Sequence, residues 1–393
     1  MRRLATLRVL KLKNAPLKGR LPTDCFKVID YILTNSIIIL IFLAVLTILV
    51  FFHELGHYLV ARWNRVRVEV FSVGFGPEVF GYTDSAGTRW KFSAIPLGGY
   101  VKMFGENTTP GSVDGIETLS QNEKEAAFHL KSVWQRSAIV FAGPAANFIL
   151  SIILFSFLFV FVGQPFTSPQ IGKIVPDSAA AEAGLVAGDV FLEVDGRKIE
   201  RFQDVQQIVF LNLGQPIKII VDRGGVKIDL IAVPKIGERK DRSGNVHRFG
   251  LLGVQSIGID QIRHDPFTAI WRAVVETGQL TVGTLKALGQ IIAGDRDVKE
   301  LGGPIKIAKI SHEFALMGID SLIWLIALLS INLGLLNLFP IPMLDGGHLL
   351  FYAVEALTGR PLGERAQEIG LRIGLALVIS LMVFVTINDL VQL

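Results

Sequence analysis

Long apolar runs separated by polar stretches are the feature that most constrains how this 393-residue chain can fold. The first runs from Ile37 to Phe52 with Thr47 as its one polar residue, and with its flanks it reaches the roughly 20 residues that cross about 30 Å of hydrocarbon. Three further runs, at 137–162, 322–344 and 371–390, have comparable length. We therefore predict a polytopic α-helical membrane protein with four transmembrane helices and both termini on one side.

Composition supports a chain that is part membrane and part water-exposed. Half of the residues are apolar and 19% are charged, which is unusual for a soluble globular protein. The net charge of +4 does not indicate nucleic-acid binding, because Lys and Arg are scattered and form no patch interleaved with aromatic residues. Cys25 is the one cysteine, so any metal site must use His, Asp and Glu.

Residues 1–34 form a basic N-terminal arm, which together with the first apolar run superficially resembles a signal peptide. The run is too long for that and no small-residue cleavage pattern follows it, so we expect the segment to be retained. The positive-inside rule would place the arm in the cytoplasm, but the loop between the first two runs is also basic, so charge leaves the orientation open. The basic residues of the arm include Arg2, Arg3, Arg8, Lys11, Lys13, Lys18 and Arg20.

The polar stretches divide the chain further. Residues 35–163 would hold the first two transmembrane helices and, between them, glycine-rich β-hairpins at 69–82 and 89–104 that associate with the membrane. Residues 257–320 are predicted to be an amphipathic linker on the membrane surface, because the apolar stretch 266–293 carries charges. The last two transmembrane helices would lie within 321–393.

Residues 168–256 are predicted to form an inserted, soluble, β-rich domain. Short β-type runs are separated by turn residues at 170–175, 190–194, 217–222 and 227–233, and 202–211 has helical periodicity. The stretch from Ala183 to Ile199 resembles the core signature of PDZ domains of the bacterial protease type.

That resemblance implies a groove in which a peptide terminus adds as an extra strand, and we expect Ile171, Gly172, Lys173 and Ile174 to form it. A β-rich domain that only spaces or shields the membrane part is the alternative.

The sharpest chemical signal is His53-Glu-Leu-Gly-His57 at the end of the first run. Two histidines four apart share one helix face and can reach one zinc ion, while Glu54 can contact a metal-bound water. An acidic side chain costs about 2.5 to 3.5 kcal/mol at mid-bilayer and less near an interface, so something must compensate. Zinc would do so; the alternative is a structural polar cluster.

Hydrolytic zinc usually has three protein ligands, and the third run offers the remaining one. Pro340 and Pro342 cannot continue a regular helix, and irregular backbone at membrane depth must be buried or line a wet cavity. Asp345 follows this break and is the predicted third ligand, with His348 as its competitor.

Two amides in the same run, Asn332 and Asn337, could hydrogen-bond an oxyanion or an unwound substrate. Packing between helices is their alternative role.

Four motifs together resemble the site-2 protease family of zinc intramembrane metalloproteases, in its bacterial regulator-of-sigma-E protease branch. They are His53–His57, the hairpin Gly98-Gly-Tyr-Val-Lys-Met103, Phe141-Ala-Gly-Pro-Ala-Ala-Asn-Phe148, and Asn337-Leu-Phe-Pro-Ile-Pro-Met-Leu-Asp-Gly-Gly347. The likeness covers nearly everything after about residue 35. Members of this branch often carry two PDZ domains, whereas one is predicted here.

The resemblance implies a zinc-dependent intramembrane endopeptidase in the bacterial inner membrane, with the termini and the PDZ-like domain in the periplasm. One Zn²⁺ would be held by His53, His57 and Asp345, with Glu54 as the catalytic residue. Substrates would be single-span membrane proteins, such as anti-sigma factors already cut once, or remnant signal peptides.

A helical substrate must be opened before attack, because its carbonyls are hydrogen-bonded within the helix. Gly98, Gly99 and Tyr100 could pair with the opened strand, and Asn332 and Asn337 could hold it.

Two rival classes remain. A membrane scaffold could gather partners with its PDZ-like domain and keep a structural metal, but structural zinc normally has four protein ligands. A transporter is the weaker rival, since the four runs show no evident repeat.

Overall fold

The computed structural model describes residues 23–105, 120–240, 246–258 and 260–392, so the basic stretch up to residue 22 lies outside the described residues. The helices are α1 (Thr23–Trp63), α2 (Gln121–Ala126), α3 (Val133–Phe161), α4 (Ala179–Glu182), α5 (Phe202–Phe210), α6 (Pro266–Ala293), α7 (Pro304–Met317), α8 (Ile319–Asn337), α9 (Asp345–Thr358) and α10 (Glu364–Val391). The strands are β1 (Val68–Thr83), β2 (Arg89–Met103), β3 (Gln164–Phe166), β4 (Ile171–Ile174), β5 (Val190–Val194), β6 (Arg197–Lys198), β7 (Ile217–Arg223), β8 (Val226–Ala232), β9 (Lys235–Lys240), β10 (Val246–Leu251), β11 (Val254–Ser256) and β12 (Asp260–Ile262).

Among the described residues, four helices are long and apolar enough to cross a membrane: α1 from Ser36 onward, α3, α8 and α10. The prediction of four spans is therefore confirmed. The third apolar run continues to Leu344, but α8 ends at Asn337 and a new helix begins at Asp345. The expected single span over 322–344 was thus too long. Proline has no N–H to donate and its ring clashes with the preceding turn, so the segment around Pro340 leaves the helix.

The hairpin β1–β2 bends back on itself and forms a small sheet, which packs against the second half of α1. Residues 99–103 pair with 68–73, which also lie beside 89–92, and 78–83 pair with 89–93 on the far side. Phe71 is 1% exposed and stacks on Trp90 at 4.3 Å between ring centroids. The predicted β structure between the first two spans is therefore present, and its edge segment 99–103 faces α1.

The inserted domain is built around an antiparallel sheet in the order β6-β5-β7-β8, with α4, α5 and the separate pair β4–β11 packed beside it. Its core is apolar: Phe191, Val194, Ile217 and Ile219 are 0% exposed. The predicted strands correspond to β4, β5, β7 and β8, and the predicted helix to α5. The chain enters and leaves the domain side by side, because β3 pairs with β12.

α6 joins this domain to the apolar helices. Ala269 and Ala273 of α6 pack in one cluster with Phe155, Phe159 and Ile331 of α3 and α8. Near the start of α5, a nearly buried guanidinium, that of Arg201, donates to Asp204 Oδ1 at 2.9 Å and to Glu276 Oε2 of α6 at 3.0 Å. The placement of α6 on the membrane surface stays a prediction.

Candidate metal centre

Three side chains from two separated parts of the chain meet at one point. His53 and His57 lie one turn apart on α1, with their Nε2 atoms 3.3 Å apart. Asp345 Oδ2 is 3.2 Å from His53 Nε2, and Asp345 Oδ1 is 3.6 Å from His57 Nε2. Within the described residues these three form the group that could hold a metal ion, all ligand atoms lying within 4.8 Å of one another.

The donor set and its dimensions fit zinc. Tetrahedral zinc with ligands at about 2.0 to 2.1 Å has ligand atoms about 3.3 Å apart, which the three distances approach. Two unprotonated imidazole nitrogens and a carboxylate would repel one another without a cation, and Asp345 Oδ2 is buried with no hydrogen-bond partner among the described residues, as expected of an oxygen that binds a metal ion. Three ligands leave the fourth tetrahedral position open, as hydrolytic zinc requires.

The break between α8 and α9 places Asp345 next to the two histidines. Gly346 and Gly347 allow the loop to fold back, because a Cβ on either residue would overlap backbone of that loop, at Phe339 O and Ile341 O. Asp345 is the first residue of α9, where the partial positive charge of a helix N-terminus favours a carboxylate. His348, the competitor for the third position, lines the same cavity one turn further along α9 but is not one of the three clustered residues.

The span α3 supports both imidazoles from behind. His57 Nδ1 lies 2.9 Å from the carbonyl oxygen of Ile139. The Asn147 amide lies 3.1 Å from His53 Nδ1, and a Cβ on Gly143 would overlap the His57 ring. Gly143 and Asn147 belong to the motif 141–148, and Ile139 lies just before it, yet sequence reasoning assigned none of the three to the site. An asparagine four residues after a glycine within an apolar run was the available signal.

The cluster opens into a cavity of about 630 Å³, whose wall includes Glu54, Tyr100 and His348. Gly99 does not line the cavity. Because glycine has no Cβ, the edge segment can approach α1 closely here: a Cβ on Gly99 would lie 3.3 Å from Glu54 Cγ. Gly98 has φ of +94° and makes the bend before the edge segment.

The two predicted amides are placed elsewhere. Asn332 Oδ1 accepts a hydrogen bond from Thr284 Oγ1 of α6 at 3.2 Å, and Asn337 ends α8 outside the lining of the cavity. Of the five residues predicted to bind substrate, Tyr100 lines the cavity.

One buried ion pair fixes α9 against α3. Arg136, 4% exposed at the start of α3, donates to Glu355 of α9 and lies 4.8 Å from the centroid of the Tyr352 ring. Since α9 begins with Asp345, this pair ties the helix that carries the carboxylate to the helix that supports the two histidines.

A second cavity, of about 640 Å³, lies between α5, residues 249–254 and α6. The expected groove strand, 171–174, does not line it. The strand 171–174 pairs with β11, and Val254, the first residue of β11, lines the cavity. The residues predicted for the groove therefore do not line this cavity, and a peptide-binding role for them stays a prediction.

Two histidines, a carboxylate, an open ligand position and Glu54 in one cavity define a zinc metalloprotease. The chain matches the model of peptidase family M50 over residues 41–381. It is 49% identical over 355 residues to a Brucella suis protein with the name "Putative zinc metalloprotease", covering 89% of this chain and 94% of that one. It is 38% identical over 373 residues to Metalloprotease MmpA of Caulobacter vibrioides, covering 88% and 94%.

The chain therefore belongs to peptidase family M50. It is a multi-pass membrane metalloprotease whose cofactor is one zinc ion. Part of this chain is similar to the PDZ domain of the SdrC-like protein of Listeria innocua. The match covers 25% of this chain and 99% of that domain, at 19% identity and a TM-score of 0.19.

Proposed function

We propose that this protein hydrolyses peptide bonds within the transmembrane segments of single-span membrane proteins. The observation that carries the proposal is the origin of the three clustered residues. His53 and His57 lie inside the apolar helix 36–63, and Asp345 directly follows the break that ends the apolar helix α8. A centre assembled from two such helices lies at membrane depth, where the bonds within reach belong to other membrane-embedded chains.

His53, His57 and Asp345 are the proposed zinc ligands. A zinc ion bound there supplies a Lewis acid for the scissile carbonyl and for the attacking water. Glu54 is the proposed general base: it takes the proton of the water and passes it to the leaving nitrogen. The cavity gives this carboxylate and the open side of the cluster a common space that water can enter.

The edge segment 99–103 is the proposed strand template for the substrate. It pairs with 68–73 on one side, and Tyr100, Val101 and Met103 line the cavity. A substrate opened from its helix would regain backbone hydrogen bonds by lying along this edge, beside Glu54. Gly98 and Gly99 would then act by shaping the edge, and Asn337 would hold the opened strand from the end of α8. Asn332, bonded to α6, is the weakest of these candidates.

The cavity of the PDZ-like domain is the proposed site for a peptide terminus. It combines apolar side chains of α5, such as Val205 and Val209, with the glycine-containing segment 249–254. Substrates already cut once by another protease carry a new terminus that could enter it. Anti-sigma factors trimmed in this way, or remnant signal peptides, fit as substrates, with the protein in the inner membrane and this domain in the periplasm.

The test is cleavage of a model single-span substrate by purified full-length protein in detergent. Glu54→Gln should lower the cleavage rate by a factor of about 10² to 10⁴ while zinc content stays at the wild-type level. Glu182→Gln, on the surface of the inserted domain, is the matched control and should change neither. Mass spectrometry of the products should place the cut inside the apolar segment.

Undiminished cleavage by Glu54→Gln would remove this residue from its role. A cut confined to the polar flanks of the substrate would contradict intramembrane cleavage.

A further inference from the structure

The orientation of the two imidazoles sets a requirement on their protons. Both histidines point Nε2 into the cluster, and a neutral imidazole that offers one nitrogen to a metal carries its proton on the other. Each Nδ1–H therefore needs an acceptor. For His57 this is the carbonyl oxygen of Ile139, 2.9 Å away, which can only accept.

For His53 the neighbour of Nδ1 is the side-chain amide of Asn147, at 3.1 Å. An amide can donate through Nδ2 or accept through Oδ1, and a half-turn exchanges the two atoms. With Nδ2 toward the ring, Oδ1 is buried without a hydrogen-bond partner among the described residues. Nδ1 would then be an acceptor and the proton would sit on Nε2, in the way of a metal. With Oδ1 toward the ring, the proton sits on Nδ1 and the lone pair of Nε2 faces the cluster.

We propose that Asn147 is a positioning residue of the metal centre. Its side-chain oxygen accepts the hydrogen bond from His53 Nδ1–H and so fixes the tautomer and ring plane that present Nε2 to the metal. This inference rests on the proposed assignment of His53 as a ligand.

The surroundings of Asn147 hold its side chain in place. The residue is 0% exposed, and its backbone carbonyl accepts hydrogen bonds from Ser151 at 3.0 Å and Ser330 at 2.8 Å. Gly334 of α8 packs on it so closely that an added Cβ would lie 3.2 Å from the Cβ of Asn147. From this packed position the amide lies beside Nδ1 of His53.

Two substitutions separate an acceptor from a packing group. Leucine has nearly the shape of asparagine but no polar atom, whereas aspartate keeps the acceptor and, when ionised, cannot donate. The readout is zinc affinity of the full-length protein in detergent, measured by competition with a chelator. The unfolding temperature of the metal-free protein is recorded alongside it.

Asn147→Leu should weaken zinc binding by about 10- to 100-fold, the usual effect of losing a partner of a ligating histidine. Asn147→Asp should stay near the wild-type affinity. Ser156→Ala, which removes a hydroxyl of the same helix that donates to Ile152 O and touches neither histidine nor Asn147, is the matched control and should bind zinc like wild type.

The proposal is overturned if Asn147→Leu binds zinc as tightly as wild type. It is also overturned if Asn147→Asp loses as much affinity as Asn147→Leu while the metal-free unfolding temperature is unchanged. If Asn147→Leu does not fold, the zinc affinity of Asn147→Asp decides. A loss of about tenfold or more overturns the proposal, and an affinity near that of wild type supports it. Because the readout is metal affinity, failure here is distinct from failure of intramembrane cleavage, which the Glu54→Gln assay detects.

Discussion

The metal centre and the inserted β-rich domain are held together in different ways. At the metal centre, backbone approaches backbone through glycines: a Cβ on Gly56 would overlap Ala142 O, and one on Gly334 would lie 3.0 Å from Pro144 O. The inserted domain instead buries large apolar side chains, with Phe191, Val194 and Ile219 at 0% exposure.

The solvent explains the difference. Between helices in a bilayer there is no hydrophobic driving force, because lipid tails are as apolar as leucine, and close packing and polar contacts decide the geometry. In water, burial of apolar surface at about 25 cal/mol per Å² supplies the stability, and precise contacts matter less. We therefore expect small steric changes at the metal centre to alter metal binding, and changes in the inserted domain to alter stability or peptide binding.

Gly143→Ala should have the largest effect. The new methyl would overlap the His57 ring and crowd His53, and rings at the end of flexible side chains can swing aside at little cost in stability. Zinc affinity should fall at least about 100-fold while the unfolding temperature of the metal-free protein changes little. Chelator competition and thermal unfolding measure the two.

Gly289→Ala is the matched control, because an added Cβ there meets nothing within 4 Å. It should leave zinc binding unchanged. If Gly143→Ala bound zinc as tightly as wild type, the expected sensitivity of the metal centre to small steric changes would be contradicted.

Gly283→Phe should produce an intermediate effect confined to the inserted domain. Gly283 lines the cavity between α5 and α6, so a phenyl ring there would fill the proposed groove. Binding of a fluorescent peptide with an apolar, free carboxyl terminus should weaken more than about tenfold, the loss expected when a ligand's buried contacts worth over 1.4 kcal/mol are removed. Zinc affinity should not change.

Gly278→Phe, outside the lining of the groove on the same helix, is the matched control and should bind the peptide like wild type. Equal peptide binding by Gly283→Phe would show that the terminus binds elsewhere.

Asp189→Asn should have the smallest effect, and on stability alone. The Asp189 carboxylate is 0% exposed and accepts from Arg223 Nε at 2.7 Å. Burial raises the pKa of this carboxyl, but its hydrogen bonds with Arg223 and with the backbone N–H of Val186, together with the positive charge of Arg223, outweigh burial and leave the pKa below its usual value. The substitution should lower the stability of the domain by about 1 to 3 kcal/mol.

A lowered folded-state pKa gives a definite sign with pH. The pair stabilises the domain above the unfolded value of about 3.9 and is lost as pH falls from there toward the lower folded value. Hydrogen exchange of β5 and β7, normalised to unfolded peptide at each pH, should therefore rise below about pH 4 in wild type. Asp189→Asn should flatten this rise, and an unchanged pH dependence would contradict the assignment to this pair.

Several features of the fold followed from local pattern alone. The four apolar runs gave four helices, and the β-type runs of the inserted domain gave β4, β5, β7 and β8. The end of the third span was predicted seven residues too late. The segment from Leu338 to Leu344 is as apolar as a membrane-spanning helix, but the chain leaves the helix around Pro340. The groove was predicted on 171–174, whereas the cavity beside α5 is lined by 249–254, because sequence spacing does not reveal which strand packs next to that helix.

The spacing of His53 and His57 determined by itself that two imidazoles share one helix face, since helix geometry is local. It left Asp345 and His348 as rivals for the third position, and it was silent on Gly143 and Asn147. Only the tertiary structure decided which carboxylate or imidazole meets the pair and what supports the rings, because those contacts join residues that are 82 to 292 positions apart. Such distances are set by how α3 and the break after α8 pack on α1, which no local pattern encodes.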